Sequence, residues 1–146
     1  MNSHRYKLAA PALVLVAACG GSPTSPTPPP PPPPAPIGDF PIGSYTAERP
    51  AGTVPAELVG SWNVSFDSDA TGLILHNGAT SVMISFGVTG QEIRITDLGG
   101  PGACPPPGQS GTYRWSLANQ VLSFTDVDDE CSGRRAVLTT GPWTAD

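Results

Sequence analysis

The chain has 146 residues, with 7 basic and 12 acidic side chains and a net charge of −5. Nucleic-acid binding needs a basic patch, and the chain carries no basic cluster after its signal-like start, so composition excludes that class of partner. The acidic excess favours solubility and points to no partner of its own.

The chain begins with the pattern of a secretory signal peptide. Arg5 and Lys7 precede an apolar run over residues 8–18 that closes on small side chains. The run has 11 residues and contains Pro11. A membrane-spanning helix needs ~20 apolar residues, and proline breaks helices. We therefore predict that residues 1–18 are a signal peptide, removed during export.

A cysteine follows the expected cleavage point. The segment Val16-Ala17-Ala18-Cys19 resembles the lipobox of bacterial lipoproteins, in which the cysteine is acylated and becomes the new N-terminus. We predict a lipid anchor on Cys19, with fatty acyl groups such as palmitate, and each buried methylene contributes ~0.8 kcal/mol to anchoring. The alternative is ordinary cleavage at the same small residues, which would release a soluble secreted protein.

The residues after the cysteine bear on localisation. In bacterial lipoproteins an aspartate at this point resembles an inner-membrane retention signal, whereas Gly20 and Gly21 stand here. The prediction is a protein of the cell envelope, attached to the outer membrane if the cell has two membranes. The membrane is then a partner through the lipid, and no protein partner can be named.

Residues 19–55 are predicted to be a linker. Residues 22–36 contain seven consecutive prolines and no charge, which favours a polyproline II spacer of roughly 45 Å at ~3.1 Å per residue. A docking site for a proline-recognition domain is the alternative, and the position directly after the anchor favours the spacer. Residues 37–55 have no hydrophobic period and are predicted to be a second linker or a loosely packed lead-in.

The predicted folded domain covers residues 56–146, and its first half alternates apolar and polar side chains with period two. The first strand has one apolar face: Leu58, Trp62, Val64 and Phe66. Asn77-Gly78 lies between two apolar runs and predicts a hairpin. The strands that follow place apolar side chains inward at Val82, Ile84, Phe86, Val88, Ile93 and Ile95.

The same period returns after a Gly/Pro-rich loop. A tight connection at Ala118-Asn119 separates two strands whose inward residues are Tyr113, Trp115, Leu117, Leu122 and Phe124. Residues 134–143 are predicted to add one or two strands, and no dependable helix is expected. The predicted fold is all-β: a small antiparallel up-and-down barrel of seven or eight short strands, with a β-sandwich as the alternative.

Two motifs resemble those of lipocalins and related calycin barrels. The segment Gly60-Ser61-Trp62 looks like the G-x-W signature at the first strand of those barrels. Residues 111–134, GTYRWSLANQVLSFTDVDDECSGR, are similar to small bacterial lipocalin-like domains, in which G-T-Y-x-W, a hairpin and D-x-C-x-x-R close the sheet. The chain is much shorter than a true lipocalin, so the resemblance implies a smaller interior.

The resemblance also implies a role for a late basic residue, which in lipocalins packs across the first-strand tryptophan and closes one end of the barrel. Arg134 is the candidate over Trp62 beside Gly60, with Arg135 next to it. Such stacking contributes about 0.5–2 kcal/mol. The alternative is that both arginines are solvated.

Two cysteines remain once Cys19 is acylated. Cys104 and Cys131 would face an oxidising compartment, where an even count predicts a disulfide. This disulfide would close the loop over residues 104–131. In the chain-entropy model, closing a loop of this length adds roughly 3.5 kcal/mol to the free energy of unfolding.

The sequence does not predict an enzyme, a cofactor or a metal site. His76 flanks the hairpin turn and is not accompanied by a nucleophile motif. The densest acidic group could suggest calcium, but its spacing lacks the order of a known calcium loop. That group consists of Asp126, Asp128, Asp129 and Glu130.

Two functions remain. The first is a barrel that binds a small apolar ligand or lipid, in a pocket lined by Trp62, Phe66, Phe86, Tyr113, Trp115 and Phe124. The second is a non-enzymatic interaction or structural lipoprotein whose barrel is filled by those rings. An eight-stranded barrel encloses room for packed side chains or for one small ligand, and the family resemblance favours the first.

Overall fold

The structure is a computed structural model that describes residues 37–146, and these residues form a closed antiparallel barrel of eight strands in up-and-down order. The strands are β1 (Gly43–Arg49), β2 (Gly60–Phe66), β3 (Thr71–His76), β4 (Ala79–Thr89), β5 (Glu92–Gly99), β6 (Ser110–Ala118), β7 (Val121–Asp128) and β8 (Trp143–Ala145). A short 3-10 helix (Ala56–Leu58) precedes β2, and the helix α1 (Ser132–Thr139) lies between β7 and β8. The predicted small all-β barrel is confirmed, and the β-sandwich alternative is wrong.

Short turns connect most neighbouring strands. Asn77 and Gly78 both have positive φ, of 50° and 79°, as the predicted two-residue hairpin requires. The β6–β7 turn is formed by Asn119 and Gln120, with φ of 52° and 65°, one residue later than predicted. The barrel closes where Tyr45 and Thr46 of β1 pair with the last strand.

The inner face of the barrel follows the predicted alternation. The buried apolar positions of β2, β4 and β5 are those expected from the period of two, and Glu92 and Arg94 point outward. The buried Asp97 in β5 was not expected. The core consists mainly of aliphatic and aromatic side chains, including Val64, Phe66, Ile84, Phe86, Ile93, Ile95, Tyr113, Leu122, Leu138 and Trp143. Burial of these side chains is the main favourable contribution to folding.

The folded part begins earlier than the predicted boundary at Ala56. Strand β1 lies within the expected linker and pairs with β2 along its whole length. Its inward positions are Tyr45, Ala47 and Arg49, all buried. An alanine and an arginine at two of three inward positions hide the hydrophobic alternation on which the prediction depended.

The helix α1 replaces part of the strand predicted over residues 134–143. Arg134, Val137 and Leu138 are its buried residues, and they follow the i, i+3, i+4 spacing of one helix face. Eight residues are too few for that period to stand out in the sequence. Only the short strand β8 follows it, beginning at Trp143.

The two ends of the barrel differ. At one end, here the helix end, lie α1, the 3-10 helix, the hairpin turn at Asn77-Gly78 and the loop over residues 100–109. At the other end lie residues 37–42, here called the lead-in, and the turns that follow β2, β4 and β6. The helices described within residues 37–146 are too short and too polar to cross a membrane.

Candidate functional site

A buried polar cluster lies at the helix end. The guanidinium of Arg134 donates through Nε and Nη2 to Asp129 at 2.8 Å, and Nη1 lies 2.7 Å from Asp97 Oδ1. Nη1 also donates to the carbonyl of Gln109 at 3.0 Å. The Tyr113 hydroxyl donates to Asp129. We call Asp97, Tyr113, Asp129 and Arg134 the polar cluster.

Burial and these contacts shift the pKa values of three members of the polar cluster, Asp129, Arg134 and Tyr113. Burial alone would raise the pKa of Asp129, but hydrogen bonds from Arg134, Tyr113 and the Cys131 amide outweigh it and lower that pKa. Burial would lower the pKa of Arg134, and the two carboxylates raise it instead. Burial and the Asp129 carboxylate both raise the pKa of Tyr113. Asp129 is therefore an anionic carboxylate and Arg134 a cation, and the Tyr113 phenol is neutral.

The predicted disulfide is part of the same unit. Cys104 and Cys131 are bonded, with Cα atoms 6.0 Å apart. The Cys104 amide donates to Asp97 Oδ2 and the Cys131 amide donates to Asp129 Oδ1, both at 2.8 Å. Each cysteine thus positions one of the two aspartates that pair with Arg134. The disulfide prediction is confirmed.

The motifs quoted from the second half of the sequence meet in the polar cluster. Tyr113 belongs to G-T-Y-x-W, whereas Asp129 and Arg134 are the first and last residues of D-x-C-x-x-R. A Cβ on Gly111 would collide with the Asp129 carboxylate. These four residues therefore each have a structural role at this barrel end, whereas Trp115 of the first motif lies at the lead-in end.

Arg134 does not stack across Trp62. Its guanidinium is held by the two aspartates, and the Trp62 ring stacks on His76 with centroids 4.2 Å apart and an interplanar angle of 10°. The Trp62 indole donates to the carbonyl of Leu58 at 2.8 Å. The alternative of a solvated Arg134 is also wrong, because its side chain is only 3% exposed. Arg135 is 46% exposed at its side chain and lies 3.7 Å from Asp126.

A different arginine covers a tryptophan at this end. The Arg49 guanidinium lies 4.8 Å from the centroid of the Trp143 ring, and Arg49 Nε donates to the carbonyl of Val137 at 2.9 Å. Burial lowers the pKa of Arg49. Sequence reasoning missed this pair because Arg49 lay in the expected linker. Gly60 keeps a role here, since a Cβ at that position would collide with the Asn77 side chain.

The predicted pocket residues face the interior, and four of them pack against one another there: Phe66, Phe86, Tyr113 and Phe124. Trp62, Phe66, Phe86, Tyr113 and Phe124 are buried, and Trp115 is half-buried. Phe66 contacts Phe86 edge-on with ring centroids 5.2 Å apart. Trp62 lies at the helix end, away from the other aromatic rings. The six residues therefore do not line one common space.

Sequence reasoning missed Phe40, which fills the mouth of the barrel at the lead-in end. Its ring centroid lies 4.9 Å from that of Phe66, 5.6 Å from Phe86 and 5.2 Å from Trp115. Phe40 is 3% exposed. The available signal was a single aromatic residue between Asp39 and Pro41 in a segment otherwise expected to be solvated.

The space left inside is small. A cavity of about 60 Å³ lies at the helix end, lined by residues that include Trp62, Val82, Asp97 and Arg134. That volume holds about two water molecules, whereas small-molecule sites have roughly 300–1,000 Å³.

The acidic residues near the end of β7 do not form a metal site among residues 37–146. Asp129 turns inward to Arg134, while Asp126, Asp128 and Glu130 remain on the surface. His76 Nε2 lies 3.0 Å from the carbonyl of Val59 and 3.2 Å from Asn77 Nδ2. These contacts and its stacking on Trp62 give His76 a structural role at the helix end.

Cys19 lies outside the described residues, as do the predicted signal peptide and the predicted proline spacer. No family model, no curated protein and no solved structure matches the chain.

Proposed function

We propose that the protein is a non-enzymatic lipoprotein of the cell envelope whose filled barrel serves as a rigid interaction domain. The observation that carries the proposal is the filled interior, in which aromatic rings occupy the barrel and the cavity at the helix end has only about 60 Å³. A barrel packed in this way offers its loops and outer surface for recognition, and it lacks the volume for an enclosed ligand.

The chemistry of the buried polar groups supports a structural role. Arg134 donates to Asp129 and forms an ion pair with Asp97, and each aspartate accepts from one cysteine amide. General acid–base catalysis needs a group that can reach a substrate and change its protonation. These groups are enclosed and paired, so they serve the closure of the barrel.

Attachment to the membrane is proposed from the sequence. The junction Val16-Ala17-Ala18-Cys19 supplies the acylation site, and the proline-rich residues 22–36 would hold the domain away from the membrane surface. The lipocalin resemblance remains a prediction.

The anchor is tested by cell fractionation. The Cys19→Ser variant should leave the membrane fraction, because the acyl chains have no thiol to attach to, whereas the matched variant Ser22→Ala should stay with the membranes. Separation of the two membranes on a density gradient would locate the anchored protein. If Cys19→Ser still sediments with membranes, the lipoprotein assignment is wrong.

The filled barrel is tested by titration with prodan, a neutral fluorescent naphthalene ketone. The unaltered domain should show weak fluorescence enhancement that does not saturate. Saturable one-to-one binding that quenches tryptophan emission would contradict the proposal and restore the ligand-binding hypothesis.

A further inference from the structure

The mouth of the barrel at the lead-in end is filled by a segment that is not part of the barrel wall. Phe40 inserts its ring between Phe66, Phe86 and Trp115, which belong to β2, β4 and β6. The lead-in precedes β1, whose pairing begins at Gly43. The aromatic ring is thus delivered to the site by a short peptide rather than by a strand.

Few polar contacts hold this peptide. The Phe40 amide donates to the carbonyl of Ile37 at 3.3 Å within the lead-in, and the Tyr45 hydroxyl donates to the carbonyl of Pro41 at 3.2 Å. The lead-in is therefore held mainly by apolar burial, of the Phe40 ring and in part of Ile37, which packs against the same core. Segments with few buried contacts and few hydrogen bonds open at the lowest free energy in a protein.

The site beneath the lead-in is incompletely satisfied. The Trp115 Nε1 donor is buried and has no hydrogen-bond acceptor among residues 37–146. Trp115 also lines a partly open groove of about 340 Å³, together with Gly38, Asp39, Val88, Gly90 and Gln91. A peptide that placed a carbonyl at Trp115 would satisfy a donor that the protein's own lead-in leaves unpaired.

We propose that this mouth is a recognition site for an aromatic side chain on a partner peptide, and that Phe40 occupies it as an intramolecular competitor. The proposal rests on the proposed function, whose partner it defines as a polypeptide with an exposed aromatic residue. The observed occupant supports a peptide, since a phenylalanine that follows a short turn in the lead-in already fits the aromatic site. The lead-in must leave before a partner can enter, so the unaltered protein is self-inhibited.

The test is binding of a blocked peptide with the lead-in's own sequence, IGDFPI, residues 37–42. The protein is the full chain with Cys19→Ser, so that no lipid or detergent is present. With Phe40→Ala added, the peptide should bind saturably and one-to-one, at least about tenfold more tightly than to the parent, because the competing state is removed. The same peptide with Phe40→Ala should not bind.

A matched control lies in the same segment. Ile42 is 42% exposed, so Ile42→Ala should leave the peptide affinity at the level of the parent. Near-ultraviolet circular dichroism establishes that each variant is folded. Absence of saturable peptide binding to a folded Phe40→Ala protein would overturn the proposal, as would equal affinity for both peptides.

Two further measurements keep the test decisive. If Phe40→Ala does not fold, the parent is titrated with IGDFPI that carries para-fluorophenylalanine, and a shifted fluorine NMR signal at millimolar peptide supports exchange. An unchanged signal up to the solubility limit contradicts it.

Saturable binding of prodan to Phe40→Ala without peptide binding would assign the mouth to small aromatic molecules instead. Cell fractionation of Cys19→Ser reports separately on the anchored-lipoprotein proposal.

Discussion

At the scale of single residues, Arg134 has the most demanding environment in the barrel. Two carboxylates approach its guanidinium, and its side chain is 3% exposed. Removing one partner from a buried ionic network leaves the charges of the others uncompensated. The free energy of unfolding then falls by more than the net contribution of the ion pair. Arg134 therefore stabilises the fold mainly because it neutralises the two buried aspartates.

We expect Arg134→Met to lower the free energy of unfolding by about 3–5 kcal/mol, because Asp97 and Asp129 lose their shared cation. Urea unfolding followed by tryptophan fluorescence measures this change. The matched variant Arg114→Met removes an exposed pair with Glu92, whose atoms are 3.5 Å apart, and should cost less than about 1 kcal/mol. Similar losses for both arginines would contradict the assignment.

The pH dependence of stability should report on Asp129. Its pKa is lowered in the folded protein by Arg134, Tyr113 and the Cys131 amide, against the effect of burial. An aspartate with a lowered folded pKa stabilises the fold above its unfolded pKa, about 4, and this contribution is lost as the pH falls through the folded value.

We therefore expect the urea midpoint to fall as the pH decreases below about 4, and to fall less in Asp129→Asn, which has no titrating carboxyl at this position. The exposed Asp128→Asn serves as the control and should keep the parent profile. If the urea midpoint of Asp129→Asn falls as much at acid pH as that of the parent, Asp129 does not report on this network.

At the scale of elements, the alternating strands were predictable, and the two elements that the sequence did not reveal, β1 and α1, have physical causes. In β2 and β4 the inward residues are large and apolar at every second position, such as Val64 and Ile84, so the period identified both the strands and their inward faces. In β5 the same period holds through Ile95 and ends at the buried Asp97. In β1 the inward Arg49 is paired with Trp143 and a backbone carbonyl, partners that no local pattern reveals.

The polar cluster could be anticipated only as separate motifs. Asp129 and Arg134 were visible as D-x-C-x-x-R, but their pairing with each other and with Asp97 requires the barrel to close. The predicted stack of Arg134 on Trp62 was wrong because carboxylates are stronger partners for a buried guanidinium than an indole face. The short α1, which orients Arg134, was hidden by its length.

The disulfide joins α1 to the loop between β5 and β6. Its reduction should lower the thermal midpoint by roughly 12–24 °C, since loss of ~3 kcal/mol has this effect in a domain of about 100 residues. Calorimetry with and without dithiothreitol measures the shift. Thiol titration of the unfolded, unreduced chain should find neither Cys104 nor Cys131 free, and two reactive thiols there would contradict the pairing.

The Cys104→Ser/Cys131→Ser double variant separates the cross-link from side effects of the reductant. It should be destabilised to the same degree as the reduced protein and should not respond to dithiothreitol. Because both cysteine amides still donate to Asp97 and Asp129, the polar cluster should persist in this variant.

At the scale of the whole molecule, segments outside the sheet close the barrel at both ends. The helix end is closed by α1 and the polar cluster, and the lead-in end is closed by Phe40. The eight strands form the barrel wall. The lead-in and α1 exclude water from the two ends of the barrel. Rings and ion pairs thus fill the space that a ligand-binding barrel would keep open.

This organisation predicts how the chain responds to shortening from its N-terminus. A chain of residues 37–146 should be as stable as the Cys19→Ser full chain, because it keeps every described contact. A chain that begins at residue 43 loses the Phe40 ring from the aromatic cluster and should be about 3 kcal/mol less stable, the lower end of the range for deletion of a buried phenylalanine.

A chain that begins at residue 56 also loses β1, so the edges of β2 and β8 are left unpaired and the barrel cannot close. Open strand edges promote association between chains, and we expect this chain to aggregate or to remain unfolded. Urea unfolding and size-exclusion chromatography of the three shortened chains measure these differences. A stable, monomeric chain of residues 56–146 would show that β1 is dispensable and that the folded domain begins at the boundary predicted from the sequence.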